Sequence, residues 1–363
     1  MVKFFDMELA NKNIDLKRIL NDVSNSYQFS LGDFVSTFEH SFSNYIGSEY
    51  CAGVANGTDG LELAMLSVGI TEKDTILTVS NAGFYASTAA NAIGASVEYI
   101  DVNDEDLLIN LDLLQNFIEQ KNKIKAIVIT HLFGQVVDME RVLEIVKNTN
   151  IKLIEDCSHA HGSSFKDKKV GTFADVGVFS FYPTKNLGAV GDGGAVVTND
   201  SEIYERLLSL RQYGWSSKYF VSNKRGRNSR LDAIQAAVLS EKLAYLDAWN
   251  NMRLSIANKY SEGLKNLPLK LLDKLKTDSP HLYPIRTSYR DNLKKFLINH
   301  NIQTEVHYPI PDHKQKIINI NHKNLDISEI SCSEILTLPL YPNMPEKDQD
   351  KVIEYINTFF EGM

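Results

Sequence analysis

Apolar and polar positions along the chain follow two periods in turn. Residues 16–23 and 34–45 repeat apolar side chains at helical spacing. From residue 50 onward, short apolar runs alternate with helix-like stretches. The pattern predicts strands over 50–55, 75–79, 97–101, 124–130 and 151–155, separated by helices over 58–68, 85–93, 111–120 and 139–147. Two more strands are expected at 176–181 and 195–198. These runs are apolar on both faces, which suits a mostly parallel sheet covered by helices on either side. Further on, Ser229 as N-cap and Asp232 have capping-box spacing, and Leu231, Ile234, Val238, Leu239, Leu243 and Leu246 make one long helical stripe. Pro268, Pro280, Pro284, Pro309, Pro311 and Pro339 then break up a region with fewer long apolar runs. The fold class expected is α/β, with a large domain over 1–247 and a smaller α+β C-terminal domain over 248–363.

The chain has 363 residues and a net charge of −8, which argues against general affinity for nucleic acid or anionic membranes. Residues 1–20 hold no apolar signal core, and no run approaches the length of a membrane span. Cys51, Cys157 and Cys332 are odd in number and far apart, so neither a disulfide nor a zinc framework is expected. A reduced, cytoplasmic protein is the expectation.

Lys185 falls between two buried strand-like runs and is followed by the small residues of 188–195. A lysine there is costly unless something uses it, and burial lowers the pKa of an amine and makes it nucleophilic. The glycines let a flat ligand lie close to the backbone. Lys185 therefore reads as a Schiff-base lysine for pyridoxal phosphate, or as a loop lysine beside a glycine turn. Ligands of a parallel sheet bind beyond the carboxyl ends of its strands, and Gly57, Tyr85, His131, Asp156 and Ser180 fall there. That shared placement favours the coenzyme.

The other motifs each carry two readings. Asn56-Gly57-Thr58-Asp59-Gly60 joins a strand to a helix, where backbone N–H groups bind phosphate; Asn-Gly is also an ordinary turn. No Gly-Lys-Ser/Thr follows, so it is not a nucleoside-triphosphate loop. A carboxylate at Asp156 can keep a pyridinium nitrogen protonated, or can cap a helix. Ser180 can hold a phosphate or bond backbone, and Tyr85 or Phe84 can stack on a ring or fill core. His159 and His161 lack further ligands, so no metal is expected. Gly226-Arg227-Asn228-Ser229-Arg230 can meet an anion or be a solvated loop. His307-Tyr308-Pro309-Ile310-Pro311-Asp312-His313 can cover a sugar nucleotide or be a stiffened connection.

Several segments together resemble the DegT/DnrJ/EryC1/StrS family of PLP-dependent nucleotide-sugar aminotransferases. They are Asn56-Gly57-Thr58, Tyr85-Ala86-Ser87-Thr88, His131-Leu132-Phe133-Gly134-Gln135, Glu155-Asp156-Cys157, the run from Ser180 through Lys185 to Gly188, Gly191-Asp192-Gly193-Gly194, and residues 226–237. They span most of the chain in family order. The resemblance implies the aspartate aminotransferase fold (PLP fold type I), with a mostly parallel seven-stranded sheet. It implies that Lys185 is the catalytic residue, joined to pyridoxal 5'-phosphate and moving a proton between substrate and coenzyme. By the same resemblance Asp156 binds the ring nitrogen, Tyr85 stacks on the ring, and Gly57, Thr58 and Ser180 hold the phosphate. His159, where many members carry glutamine, would touch the ring hydroxyl, and Asn228 would reach the phosphate in the neighbouring subunit of a homodimer. Phe84, Tyr182, Tyr213, His307, Tyr308 and His313 are the implied substrate contacts.

Family dehydratases carry histidine in place of the Schiff-base lysine, so Lys185 implies transamination. The implied reaction moves an amino group from L-glutamate to a dTDP-linked 3-keto-6-deoxyhexose, for O-antigen or other surface glycan. Asp312 stands where proline is more usual, and residues 81–85 also depart from the common pattern. A dTDP- or UDP-4-keto-6-deoxyhexose is therefore the alternative substrate. A non-catalytic ligand-binding or regulatory relative would be expected to carry an extra DNA-binding segment or to lack the Lys–Asp pair, and a nicotinamide dehydrogenase would need a Gly-x-Gly-x-x-Gly after the first strand.

Overall fold

The computed structural model describes residues 1–120, 123–272, 279–318 and 325–362. Seven strands form one sheet, in the spatial order Tyr50–Val54, Gly194–Thr198, Val176–Ser180, Lys152–Asp156, Ala126–Thr130, Thr75–Val79 and Ser96–Ile100. Every pairing is parallel except those made by Gly194–Thr198. The fold is the mostly parallel α/β architecture expected.

Side-chain burial explains why. The strand Ala126–Thr130 is buried along its whole length. Val128 packs into one apolar layer with Leu61, Ala64 and Met65 of the helix Gly57–Ser67. Ile127 and Ile129 pack into the opposite layer with Met139 and Val142 of the helix Met139–Val146. Each such burial is worth about 1.5–3 kcal/mol, so baring either whole face would cost more than a domain's usual net stability. The strand Thr75–Val79 and the helix Tyr85–Ile93 coincide with the periodicity, the helix Leu16–Ser26 runs three residues past its apolar repeat, and most other elements shift at their ends by a residue or two.

The stretch 229–246 departs from expectation. Ser229 is buried, and its hydroxyl accepts the Ala55 N–H at 3.1 Å. That tertiary bond takes the oxygen a cap would need. The helix Ala233–Leu243 starts instead from Asp232, without a side-chain cap bond. The apolar stripe then breaks and resumes in a second helix, Leu246–Leu264.

Beyond that helix lies a three-stranded antiparallel sheet of Lys270–Leu271, Tyr283–Arg286 and Ile335–Leu338. It shares a separate apolar cluster with Tyr260, Leu297, Val352 and Ile356. The first residues of the chain join this cluster. Val2 pairs with Ile302, the Phe4 N–H donates to Gln303 Oε1 at 3.0 Å, and the Phe5 ring lies 5.8 Å from that of Tyr341. Among the described residues, no helix is long and apolar enough to cross a membrane.

Candidate active site

A cavity of about 400 Å³ meets the carboxyl ends of the parallel strands. Gly57, Thr58, Tyr85, Asp156, His159, Ser180 and Lys185 line it, and His281, His307 and Tyr308 line it from the C-terminal part of the chain.

Part of the lining is a candidate anion cradle. Two residues separate the helix Gly57–Ser67 from the strand Tyr50–Val54, and the second of them, Asn56, caps the helix by accepting the Asp59 N–H at 2.8 Å. A Cβ on Gly57 would lie 2.7 Å from Ser180 Cβ, so only glycine lets the helix start touch the strand end. Gly57 and Thr58 at the helix start and Ser180 at the strand end therefore line the cavity side by side, and a helix N-terminus with hydroxyls beside it is a donor set that suits a phosphate.

The lining also carries charged side chains. Asp156 is the last residue of its strand and is 6% exposed, and its Oδ1 accepts the Ser158 N–H at 3.0 Å. Lys185 sits in a turn closed by its own N–H donating to the Tyr182 carbonyl at 2.8 Å. Burial of the Lys185 amine pulls its pKa down to about 7, with the Asp156 carboxylate opposing. The residue keeps partial exposure, as a side chain facing a cavity would.

Three neutral histidines join the lining. Burial holds His159 and His281 well below the ordinary histidine range and brings His307 to about 4; Lys185 adds to the effect at each. His159 Nδ1 accepts the Phe133 N–H at 3.3 Å, so its proton is on Nε2. Asn186 donates through its amide to Asn250 Oδ1, which leaves Asn186 Oδ1 to accept from His281 Nδ1 at 3.0 Å. His307 Nδ1 lies 3.0 Å from the Thr337 hydroxyl.

The expected site residues do not all converge. Tyr182, His307 and Tyr308 line the cavity; Phe84, Tyr213, Asn228 and His313 do not. Phe84 is a half-buried residue in the turn before the helix Tyr85–Ile93, and of the two aromatics it is Tyr85 that lines the cavity. Tyr213 packs on Trp215 with ring centroids 4.9 Å apart. Asn228 is exposed and pairs with Gln212. His313 is buried, bonding the Ser80 hydroxyl at 2.6 Å and Glu329 at 3.0 Å. Phe4, Phe5, Asp192, His281 and Leu340 line the cavity without having been expected. The aromatic pair Phe4-Phe5 in a polar N-terminus was the available signal.

His159 and His161 face different surroundings. His161 is buried between Phe179 and Phe181, at 5.6 and 5.8 Å, and burial brings its pKa to about 3. His131, Glu155 and Cys157 cluster within metal-ligating distance. Glu155, however, is taken up by His131 Nε2 and by the N–H groups of Gly171, Phe173 and Ala174, and His131 Nδ1 accepts the Val137 N–H. That cluster ties the 171–174 loop to the sheet. The cradle, the buried carboxylate and the lysine of lowered pKa fit pyridoxal phosphate in size and chemistry.

The DegT/DnrJ/EryC1/StrS aminotransferase family model matches residues 12–357. A dTDP-3-amino-3,6-dideoxy-alpha-D-galactopyranose transaminase of Aneurinibacillus thermoaerophilus is 41% identical, over 99% of each chain. A dTDP-3-amino-3,4,6-trideoxy-alpha-D-glucose transaminase of Micromonospora megalomicea subsp. nigra is 37% identical, over 98% of each. The crystal structure of S. venezuelae DesV in complex with a ketimine intermediate superposes with a TM-score of 0.95 at 33% identity, covering 99% of this chain and 98% of that one.

Proposed function

The chain belongs to the DegT/DnrJ/EryC1/StrS aminotransferase family and is a pyridoxal-phosphate-dependent sugar aminotransferase; from that premise we propose that it moves the amino group of L-glutamate to a dTDP-linked 3-keto-6-deoxyhexose. The observation that carries the reading is Lys185, with its pKa near 7, sharing one cavity with Asp156. The sugar position is supported by the two transaminases named above, both of which handle dTDP-3-amino sugars.

Pyridoxal phosphate, when bound, supplies an electron sink for removing a proton beside nitrogen. The chain's own residues do the rest. Gly57, Thr58 and Ser180 would hold the phosphate, and Asp156 the protonated ring nitrogen. Lys185 would hold the coenzyme covalently and, once freed, carry a proton on Nζ. A pKa near neutral lets that amine both take and return it. The His159 Nε2–H is a donor available to the ring hydroxyl. Because burial keeps His159, His281 and His307 neutral, they add no cation to compete with Lys185 for Asp156. Phe4, Phe5 and Leu340 wall the cavity with apolar surface that excludes water.

The proposal extends to the assembly and setting. The active unit is a homodimer with shared sites, the chain divides near residue 247, and the enzyme works in the cytoplasm to supply a 3-amino-3,6-dideoxyhexose for O-antigen or another surface glycan. The test is incubation with glutamate and, separately, 3-keto and 4-keto dTDP-sugars, with products read by mass and NMR. A 3-amino product is expected. A 4-amino product overturns the position, and no product from either overturns the activity.

A further inference from the structure

We propose that Asp312 is a positioning residue: its buried carboxylate clamps the Gly83–Phe84 turn and so sets Tyr85 on the wall of the coenzyme cavity. The inference rests on Tyr85 facing the coenzyme, but not on which sugar is aminated.

The helix Tyr85–Ile93 starts from Phe84, a residue that cannot cap it. Several other helices of the chain are capped by their own Asp or Asn, as at Asn56, Asn110, Asp138 and Asp200. Here the acceptor arrives from far along the chain. Asp312 Oδ1 accepts the Phe84 N–H at 2.9 Å, and the same carboxyl takes the Gly83 N–H. The Asp312 N–H in turn donates to the Ser80 carbonyl at 2.7 Å. One side chain and its backbone thus hold the loop at both ends.

The loop needs holding. Gly83 and Phe84 are consecutive left-handed residues, with φ of 80° and 70°, directly ahead of Tyr85. A phenylalanine persists in that conformation only where its surroundings fix it. Behind Gly83 a Cβ would lie 2.9 Å from the Tyr308 ring, and the Tyr308 ring meets Tyr85 edge-on at 6.0 Å. Tyr85 and Tyr308 both line the cavity. Asp312, the turn and the two tyrosines therefore form one packed unit.

Asp312 is 1% exposed, and no basic side chain pairs with it among the described residues. The titratable groups that face it are Tyr99, Tyr308 and Cys332, with His313 next in the chain and bonded to Ser80 and Glu329. Burial pushes its carboxyl up to about 8, against the two backbone bonds. A carboxyl buried at that cost is explained by the two N–H groups it satisfies.

The test uses the full chain. Asp312→Ala should weaken pyridoxal-phosphate binding, titrated by absorbance, by about tenfold, and Asp312→Asn, which keeps an acceptor oxygen, should recover most of it. In a Tyr85→Ala background, Asp312→Ala should add less than about twofold. Additive losses would overturn the inference. Hydrogen exchange read without coenzyme gives a second measure: the Gly83 and Phe84 amides should exchange faster in Asp312→Ala than in Asp312→Asn, and equal protection refutes the clamp. If Asp312→Ala does not fold, the comparison is made with Phe84→Gly added, since glycine relieves the turn. A wild-type chain that takes no coenzyme would sink the cofactor reading instead, while the exchange arm still judges the clamp.

Discussion

The Lys185 amine titrates near pH 7 in the folded chain because burial outweighs the attraction of Asp156. The ordinary value is 10.5, so folding lowers the pKa of a base. Below about pH 7 the amine is charged in both states, and the folded state bears the full cost of burying that charge. As pH rises toward 10.5 the unfolded chain holds more protons at this position than the folded one, and the cost fades. In coenzyme-free protein, Lys185→Met should therefore gain stability over the parent at pH 6 and lose that advantage by pH 10, as read from urea midpoints. A gain independent of pH would mean that the amine is not desolvated. Residue chemistry of this kind is legible without coordinates: Lys185 lies between two apolar strand runs, and Asp156 follows the end of another. His281 gave no such sign. Its role depends on Asn186, held 3.0 Å away across 95 positions of sequence.

Elements were legible where side-chain period alone decides them. Strands such as Ala126–Thr130 and helices such as Tyr85–Ile93 show in the pattern because burial, the largest force on them, leaves that pattern. Ser229 misled because its hydroxyl serves Ala55, a tertiary partner that no local motif reveals. Phe84 misled likewise, since the carboxyl that fixes its turn comes from Asp312. The Gly57 contact shows how tightly two elements can be joined at the site. A Cβ there would lie 3.2 Å from backbone Cα of Ser180 as well as against its side chain, so the helix start must retreat from the strand. Gly57→Ala should destabilise the fold by about 1–3 kcal/mol, the usual cost of overpacking. Its larger effect should be on phosphate affinity, with pyridoxal binding less affected than pyridoxal-phosphate binding. An equal loss for both ligands, measured by absorbance titration, would place the phosphate elsewhere.

At the scale of the whole molecule, two observations bear on a shared site. Asn228 lies exposed and off the cavity of its own chain, and nearby Tyr219, Phe220 and Val221 are 75%, 72% and 66% exposed. An apolar hairpin tip left this bare is suited to burial against another subunit. The proposed two-fold pair would turn both facts into one, with each chain's 226–230 loop completing its partner's phosphate cradle. Subunit mixing tests this directly. Lys185→Ala removes the amine from one chain, and Asn228→Asp puts a negative charge in the cradle from the other. Each homodimer should be inactive or nearly so. If Asn228 acts across the interface, a mixed dimer holds one site with both defects and one with neither. Random mixing makes about half the dimers mixed, so activity should return to about a quarter of the parent value. If Asn228 serves its own chain, both sites of the mixed dimer are broken and nothing returns. Mixing followed by an activity assay, with sedimentation to confirm exchange, separates the two outcomes.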